Sequence, residues 1–314
     1  MELQDISILG KKIKENVSKV IVGKEDIIDL SLICIITGGH MLLEDVPGTG
    51  KTVMAKALAA SLDCSFHRIQ FTPDLLPSDI TGINFYNQKE SAFTFRPGPI
   101  FSNIVLADEI NRATPRTQSA MLECMEERQV TIDGETTALA SPFLVIATQN
   151  PVEIQGTFPL PEAQLDRFLI KTAMGYPDSE DGMNILKRFK QNNPLAELKP
   201  VASAQQLMEA ASIYNKTEVS EDIMAYIISI AEASRKHHEV YLGVSPRGTL
   251  SLLKAVQVRA LLDGRTFVTP DDVKAMAVPV LSHRIVSKGI SHENLDAGKK
   301  IIVDILSHTE VPKE

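Results

Sequence analysis

The segment MLLEDVPGTGKT, Met41 to Thr52, constrains the fold of this chain more than any other. A short apolar run, Met41 to Glu44, leads into a turn ending Gly-Lys-Thr, and the helix-forming TVMAKALAASL follows. Strand, tight turn and helix in that order are the setting in which such a turn binds phosphate. Successive backbone N–H groups from Gly48 through Thr49, Gly50 and Lys51 to Thr52 form an anion nest at a helix N-terminus. Lys51 can reach the β- and γ-phosphates of a nucleotide, and Thr52 can place its hydroxyl on Mg²⁺. Pro47 has no N–H to donate and only shapes the turn. The usual pattern, G-x-x-x-x-G-K-[ST], would put a glycine where this chain has Asp45, beside Glu44. A carboxylate ~8 Å from a phosphate charge would repel it by about 2 kcal/mol at an effective dielectric of ~20. Asp45 and Glu44 are therefore expected to point away from the phosphates with their carboxylates paired.

A second strand, NIVLADEINRA, ends in Asp108-Glu109. A carboxylate at the end of a strand beside the first loop can hold the Mg²⁺ shell, the Walker B role, here given to Asp108. Glu109 is then free to orient or deprotonate an attacking water. A third strand, FLVIATQNP, is followed by Asn150, whose side chain can touch the γ-phosphate or the water. Asn-Pro is also ordinary turn chemistry, so this position by itself does not decide.

The strand candidates HMLLE, FHRIQF, NIVLAD, FLVIAT and RFLIKTAM alternate with helical patterns over the first ~175 residues. Their continuous apolar runs suit strands buried on both faces, and the alternation predicts an α/β layered domain with a five-stranded, mostly parallel sheet between helices. Two hairpins interrupt it, near 83–95 (INFYNQKESAFTF) and 129–139 (QVTIDGETTAL), the second carrying the turn pair Asp133-Gly134. From about Met183 the pattern is helical, with Ser220 and Thr269 as N-caps and Pro270 and Asp272 in the first turn after Thr269. The expected division is an α/β core over 1–180 and a smaller all-helical domain over 181–314.

The net charge of −8 argues against a basic nucleic-acid footprint. The three cysteines, Cys34, Cys64 and Cys124, match no zinc spacing and read as buried small apolar residues in a reduced, intracellular setting. The polar, amphipathic start does not read as a signal peptide. No run approaches the ~18 apolar residues of a membrane span, and LSLICIITGG reads as a buried helix. His237-His238 reads as a polar helix end, since neighbours on a helix do not share a face.

Together these motifs resemble the AAA+ ATPases, and within them the MoxR family. RIQFTPDLLPSDITG, FRPGPIF, LADEINRA, TQSAMLECMEERQVTIDG, IATQNP and FPLPEAQLDRFLIK carry the likeness from Val22 to Lys171, and GVSPRGTLSLLKAVQVRALLDGR extends it into the helical region. The resemblance implies an AAA+ P-loop core with a C-terminal lid. Val22 and Gly23 would line the adenine, and Asn150 would be sensor 1. Arg167, in LDRF, would be the arginine finger reaching a neighbour's nucleotide, and Arg247, in SPRG, would be sensor 2. The hairpins would be the helix-2 and pre-sensor-1 inserts. The residues themselves do not select Arg167 over Arg112, Arg116 or Arg128. Arg112 and Arg116, close after the Walker B acids, are candidate interface residues.

The resemblance further implies ATP and Mg²⁺ as ligands, a six-membered ring, and a cytoplasmic, chaperone-like role on protein clients. It also implies partners bearing a von Willebrand factor A domain. Two other functions remain in view. A nucleic-acid motor would need Lys or Arg at the hairpin tip, where TIDGET carries Asp133 and Glu135 instead. A non-hydrolysing nucleotide switch would not need Lys51, Asp108, Glu109, Asn150, Arg167 and Arg247 all together.

Overall fold

The computed structural model describes residues 1–89, 91–151, 156–288 and 297–312. Helices α1 (Leu3–Val17) and α2 (Glu25–Thr37) precede β1 (Met41–Glu44). α3 (Lys51–Ser61), β2 (Phe66–Gln70) and α4 (Pro77–Thr81) follow, then the hairpin of β3 (Gly82–Asn87) and β4 (Ala92–Pro97). β5 (Ile104–Asp108) leads to α5 (Pro115–Glu127), the hairpin of β6 (Gln129–Ile132) and β7 (Glu135–Ala138), and β8 (Leu144–Gln149). α6 (Glu162–Leu165) and β9 (Ile170–Thr172) complete this part. The remainder comprises α7 (Ser179–Gln191), α8 (Pro194–Glu197), α9 (Ala204–Ile213), α10 (Glu221–Lys236), β10 (Val240–Leu242), α11 (Pro246–Leu262), α12 (Pro270–Leu281), β11 (Val286–Ser287) and α13 (Ala297–His308).

The five expected strands form one parallel sheet in the order β2-β5-β8-β1-β9. Successive side chains alternate between its faces. Met41, Leu43, Ile104, Leu106, Leu144 and Ile146 join one core with α1 to α3 and helices from the C-terminal half. Leu42, Val105, Ala107, Val145 and Ala147 join the other with Met121, Leu122 and Phe143. The strand β2 departs from the expectation of burial on both faces: His67, Arg68 and Gln70 are exposed. It is the sheet's edge and pairs with β5 alone, so one side of it needs no apolar cover.

α2 is buried as expected and stops at Gly38, whose left-handed φ of 70° is a conformation that L side chains rarely adopt. Asp133 and Gly134 both take positive φ in the tight turn between β6 and β7, as a two-residue hairpin loop requires. Residue 90, in the turn of the other hairpin, lies outside the described residues. The Ser220 hydroxyl accepts from the Ile223 N–H at 3.3 Å, and the Thr269 N–H donates to Asp272 Oδ2 at 2.8 Å. The C-terminal region is helical with one addition, an antiparallel ribbon of β10 and β11 that the helical pattern did not announce. Both strands are only two or three residues long, too short to display a period.

Candidate functional site

The C-terminal ends of parallel strands open into a crevice, where ligands of such sheets bind. Four strand ends meet there, those of β1, β2, β5 and β8, around a cavity of about 390 Å³. Pro47, Gly48, Gly50, Lys51 and Thr52 line it with Asp108, Glu109 and Asn150. Gly48 and Gly50 take φ of 87° and 94°, so the loop needs glycine at both. Gly50 caps α3, whose first residues are Lys51 and Thr52. The Lys51 ammonium donates to the carbonyls of Val46 at 2.8 Å and Asp45 at 3.1 Å.

The missing glycine has a geometric explanation. The Asp45 N–H donates to Gln149 O at 3.0 Å, so its backbone extends the β1–β8 ladder and needs no special φ. Its carboxylate accepts from the Gly175 N–H at 2.8 Å and the Val46 N–H at 2.9 Å. Glu44 pairs with Lys171 at 2.8 Å. Both acids are thus paired, as the repulsion argument required.

Asp108 and Glu109 are held by residues that sequence reasoning missed. The buried Thr148 hydroxyl donates to Asp108 Oδ1 at 2.6 Å and accepts from the Glu109 N–H at 2.8 Å. Glu109 sits at φ 57°, ψ 51°, a left-handed conformation of about 1–3 kcal/mol cost that its surroundings must enforce. The Thr148 bond supplies part of that enforcement. Glu109 Oε2 accepts from Gln70 Nε2 at 2.7 Å and Arg112 Nη1 at 2.9 Å. Arg112 is therefore a partner of Glu109, while Arg116 lies exposed on α5. Arg68 donates to Asp108 Oδ2 through Nη2 at 2.6 Å and Nε at 3.0 Å. The one available signal was period: Arg68, Gln70 and the edge strand's solvent-facing side stand two residues apart.

A single Mg²⁺ fits this donor set. Hard cations take oxygen ligands and keep several waters beside one or two carboxylates. Asp108 and the Thr52 hydroxyl border the same cavity. Among the described residues no group of three His, Cys, Asp or Glu is poised to hold a metal without a nucleotide.

Neither Val22 nor Gly23 lines the phosphate cavity. Gly23 borders a second cavity with Met174, and the Met174 methyl lies 4.0 Å from where a Cβ on Gly50 would sit. Met174 therefore borders the cavity of Gly23 and also approaches the loop at Gly50.

Arg167 and Arg247 do not line the phosphate cavity. They converge elsewhere on one carboxylate: Glu126 accepts from Arg167 Nε at 2.7 Å and from Arg247 Nη1 at 3.0 Å. The Arg167 hydrogen bond, ahead of the Arg247 charge, holds the Glu126 carboxyl below its ordinary pKa. Asp166 extends the cluster, lying 3.7 Å from Arg247 Nε and accepting from Arg284 Nε at 2.7 Å. Arg284 was not anticipated. Its buried guanidinium also donates to Phe168 O at 2.8 Å, and burial lowers its pKa to about 10. It ties the segment after α12 to the segment before β9.

The cysteines need one correction. Cys34 and Cys124 are buried, but Cys64 is only partly so, because it sits in the turn between α3 and the edge strand β2. Burial, with Asp63 nearby, pushes its thiol up to about 11, so it is not a reactive thiolate. His237 caps the end of α10 and lies 3.2 Å from Asp304.

Comparison with known proteins agrees with this geometry. Residues 40–170 match the ATPase family associated with various cellular activities (AAA), and residues 232–305 match the AAA lid domain. The uncharacterized protein YeaC of Bacillus subtilis is 49% identical over 97% of this chain and 95% of its own. Chaperone MoxR1 of Mycobacterium tuberculosis is 41% identical, over 86% of this chain and 74% of its own. Protein MoxR of Methylorubrum extorquens is 30% identical over 90% and 89%. A crystal structure of a Cytophaga hutchinsonii protein superposes with a TM-score of 0.91 at 40% identity, covering 99% of this chain and 97% of that one.

Proposed function

The chain belongs to the MoxR family of AAA+ ATPases, and on that premise we propose that it hydrolyses ATP in a ring and uses the turnover to remodel protein clients. The loop amides of Gly48 to Thr52 and the Lys51 ammonium bind the β- and γ-phosphates. Val22 and Gly23 flank the adenine side. Asp108 and Thr52 would hold Mg²⁺, which supplies neutralisation of the phosphate charge when bound. Glu109 takes a proton from the attacking water while the water oxygen bonds to the γ-phosphorus. The bond to the β–γ bridging oxygen breaks, giving ADP and phosphate. Asn150 orients the water or the γ-phosphate.

The observation that carries the ring is the separation of Arg167 and Arg247 from their own subunit's phosphate cavity and their meeting at Glu126. Fixed planar guanidinium donors suit the charge that grows on the transferring phosphoryl group. This subunit's own loop does not receive these two, so we assign them to a neighbour's nucleotide. Contacts of that kind are head-to-tail and close into a ring, with six subunits the family expectation. The clients are proteins, with a von Willebrand factor A partner among the candidates and the cytoplasm as the setting. Asp133 at the β6–β7 tip, bonded to Asn84 at 2.8 Å, suits a protein better than a nucleic-acid backbone. No helix among the described residues is long and apolar enough to cross a membrane.

The test is Glu109→Gln. It is expected to keep ATP binding and to lower turnover by about 10²-fold or more, the usual worth of a general base. Unchanged turnover overturns the role of Glu109. The same variant, loaded with ATP, is the bait for isolating clients.

A further inference from the structure

Arg68 is a charged residue of the cavity that the proposed reaction leaves unused. It stands on the edge strand β2, two residues before Gln70, which is in register with Asp108. Two of its N–H groups donate to Asp108 Oδ2, and Nη2 also reaches Gln70 Oε1 at 2.7 Å. The other carboxylate oxygen, Oδ1, accepts the Thr148 hydroxyl. Both oxygens of Asp108 are therefore engaged.

A Mg²⁺ ion demands near-ideal octahedral geometry with oxygens at about 2.0–2.1 Å. An oxygen that already accepts two charge-assisted hydrogen bonds from a guanidinium has no free lone pair to complete that shell. Cation and guanidinium at the same oxygen also repel. Thr148 is buried and doubly bonded, so Oδ2 is the oxygen that can change partner. Arg68 can leave it without being stranded. Its side chain is 47% exposed against 13% for Asp108, and Gln70 remains as an acceptor.

We propose that Arg68 is a positioning residue that competes with the divalent cation for Asp108 Oδ2. It holds the carboxylate in place when no cation is there, and it sets the cation concentration at which the site fills. The inference rests on the nucleotide-site reading.

The measurement is Mn²⁺ uptake by the full-length protein saturated with ADP, followed by electron paramagnetic resonance of the free ion. Arg68→Gln is expected to lower the half-saturating Mn²⁺ by up to about fivefold, the worth of a partly exposed ion pair. Arg68→Lys keeps the charge but loses the paired donors, and should shift it by less. Half-saturation that is unchanged or raised in Arg68→Gln overturns the proposal. ADP binding with coincident Mn²⁺ curves removes only this role of Arg68. A wild-type protein that binds no ADP removes the nucleotide reading and this inference with it.

Discussion

The phosphate cavity and the Glu126 cluster are built on opposite principles. The cavity takes its contacts from backbone amides and strand ends that one sheet brings together, so a single chain lines it. The cluster joins side chains from α5, from the segment after α6, from the start of α11 and from the segment after α12, with sequence separations of 41 and 121 residues at Glu126. It has three guanidinium groups, Arg167, Arg247 and Arg284, against two carboxylates, Glu126 and Asp166. Arg284 is engaged by Asp166 and backbone carbonyls, which leaves two partly exposed guanidinium groups, Arg167 and Arg247, to share Glu126. On the reading proposed, the first region binds the nucleotide and the second is delivered to another subunit.

The sharpest way to break this contrast is Arg167→Ala. An arginine finger contributes about 10³–10⁵ in rate, or about 4–7 kcal/mol, so hydrolysis should be nearly abolished while each subunit still binds ATP. Mixing Arg167→Ala with Lys51→Ala subunits should restore part of the activity, because one partner keeps an intact loop and the other an intact finger. Absence of rescue in steady-state turnover would place the finger's effect within its own subunit.

A smaller effect separates the two regions by stability. Arg284 is buried and its partner Asp166 is largely so, with side chains 2% and 23% exposed. Removing the Arg284 guanidinium leaves Asp166 with only the longer Arg247 contact and frees the Phe168 carbonyl, at about 3 kcal/mol. Arg284→Ala should lower the denaturant midpoint by that order and loosen the Arg247 contact, with nucleotide affinity little changed. Equal loss of nucleotide affinity would mean that the regions are not separate.

The smallest effect tests the residue that connects them. His40 precedes β1, the strand that leads into the phosphate loop. Its Nδ1 accepts from the Val145 N–H at 3.0 Å, and its Nε2 lies 3.0 Å from Met125 O, next to Glu126. Nδ1 must stay unprotonated to accept, so the neutral ring with its proton on Nε2 satisfies both bonds. Burial lowers the pKa to about 4, from an ordinary 6.5. The unfolded chain therefore binds the proton first, and stability falls as pH drops from about 6.5 towards 4. Between pH 7 and 5 the loss from this group is about 2 kcal/mol, at 1.36 kcal/mol per pKa unit. Urea unfolding at the two pH values should show it, and His40→Gln should flatten the slope across that window.

How much was legible follows from the range of the interactions. The β1–loop–α3 unit was readable because its geometry is local: strand, turn and helix are contiguous. Asp108-Glu109 was readable because a strand end is a local event. Even Asp45 could be argued, since Coulomb repulsion required its carboxylate to be paired, though its Gly175 partner 130 residues away could not be named. Thr148 and Arg68 lie inside strand segments that carry no motif of their own, so nothing in the sequence singled them out. Their roles arise only when β2, β5 and β8 lie side by side in register.

By itself, then, the sequence determined the strand–turn–helix at the Gly-Lys-Thr loop, the acids at the end of β5, the five strand segments and the helix caps, all of which depend on residues close together in the chain. Tertiary structure alone decided that Arg167 and Arg247 share Glu126 away from their own loop. It alone decided that Arg284 is buried, that β2 is an edge, and that Arg68 sits on the aspartate a cation would need. A charged residue's type states what it can pair with. Which partner it meets is settled by the packing of elements far apart in the chain.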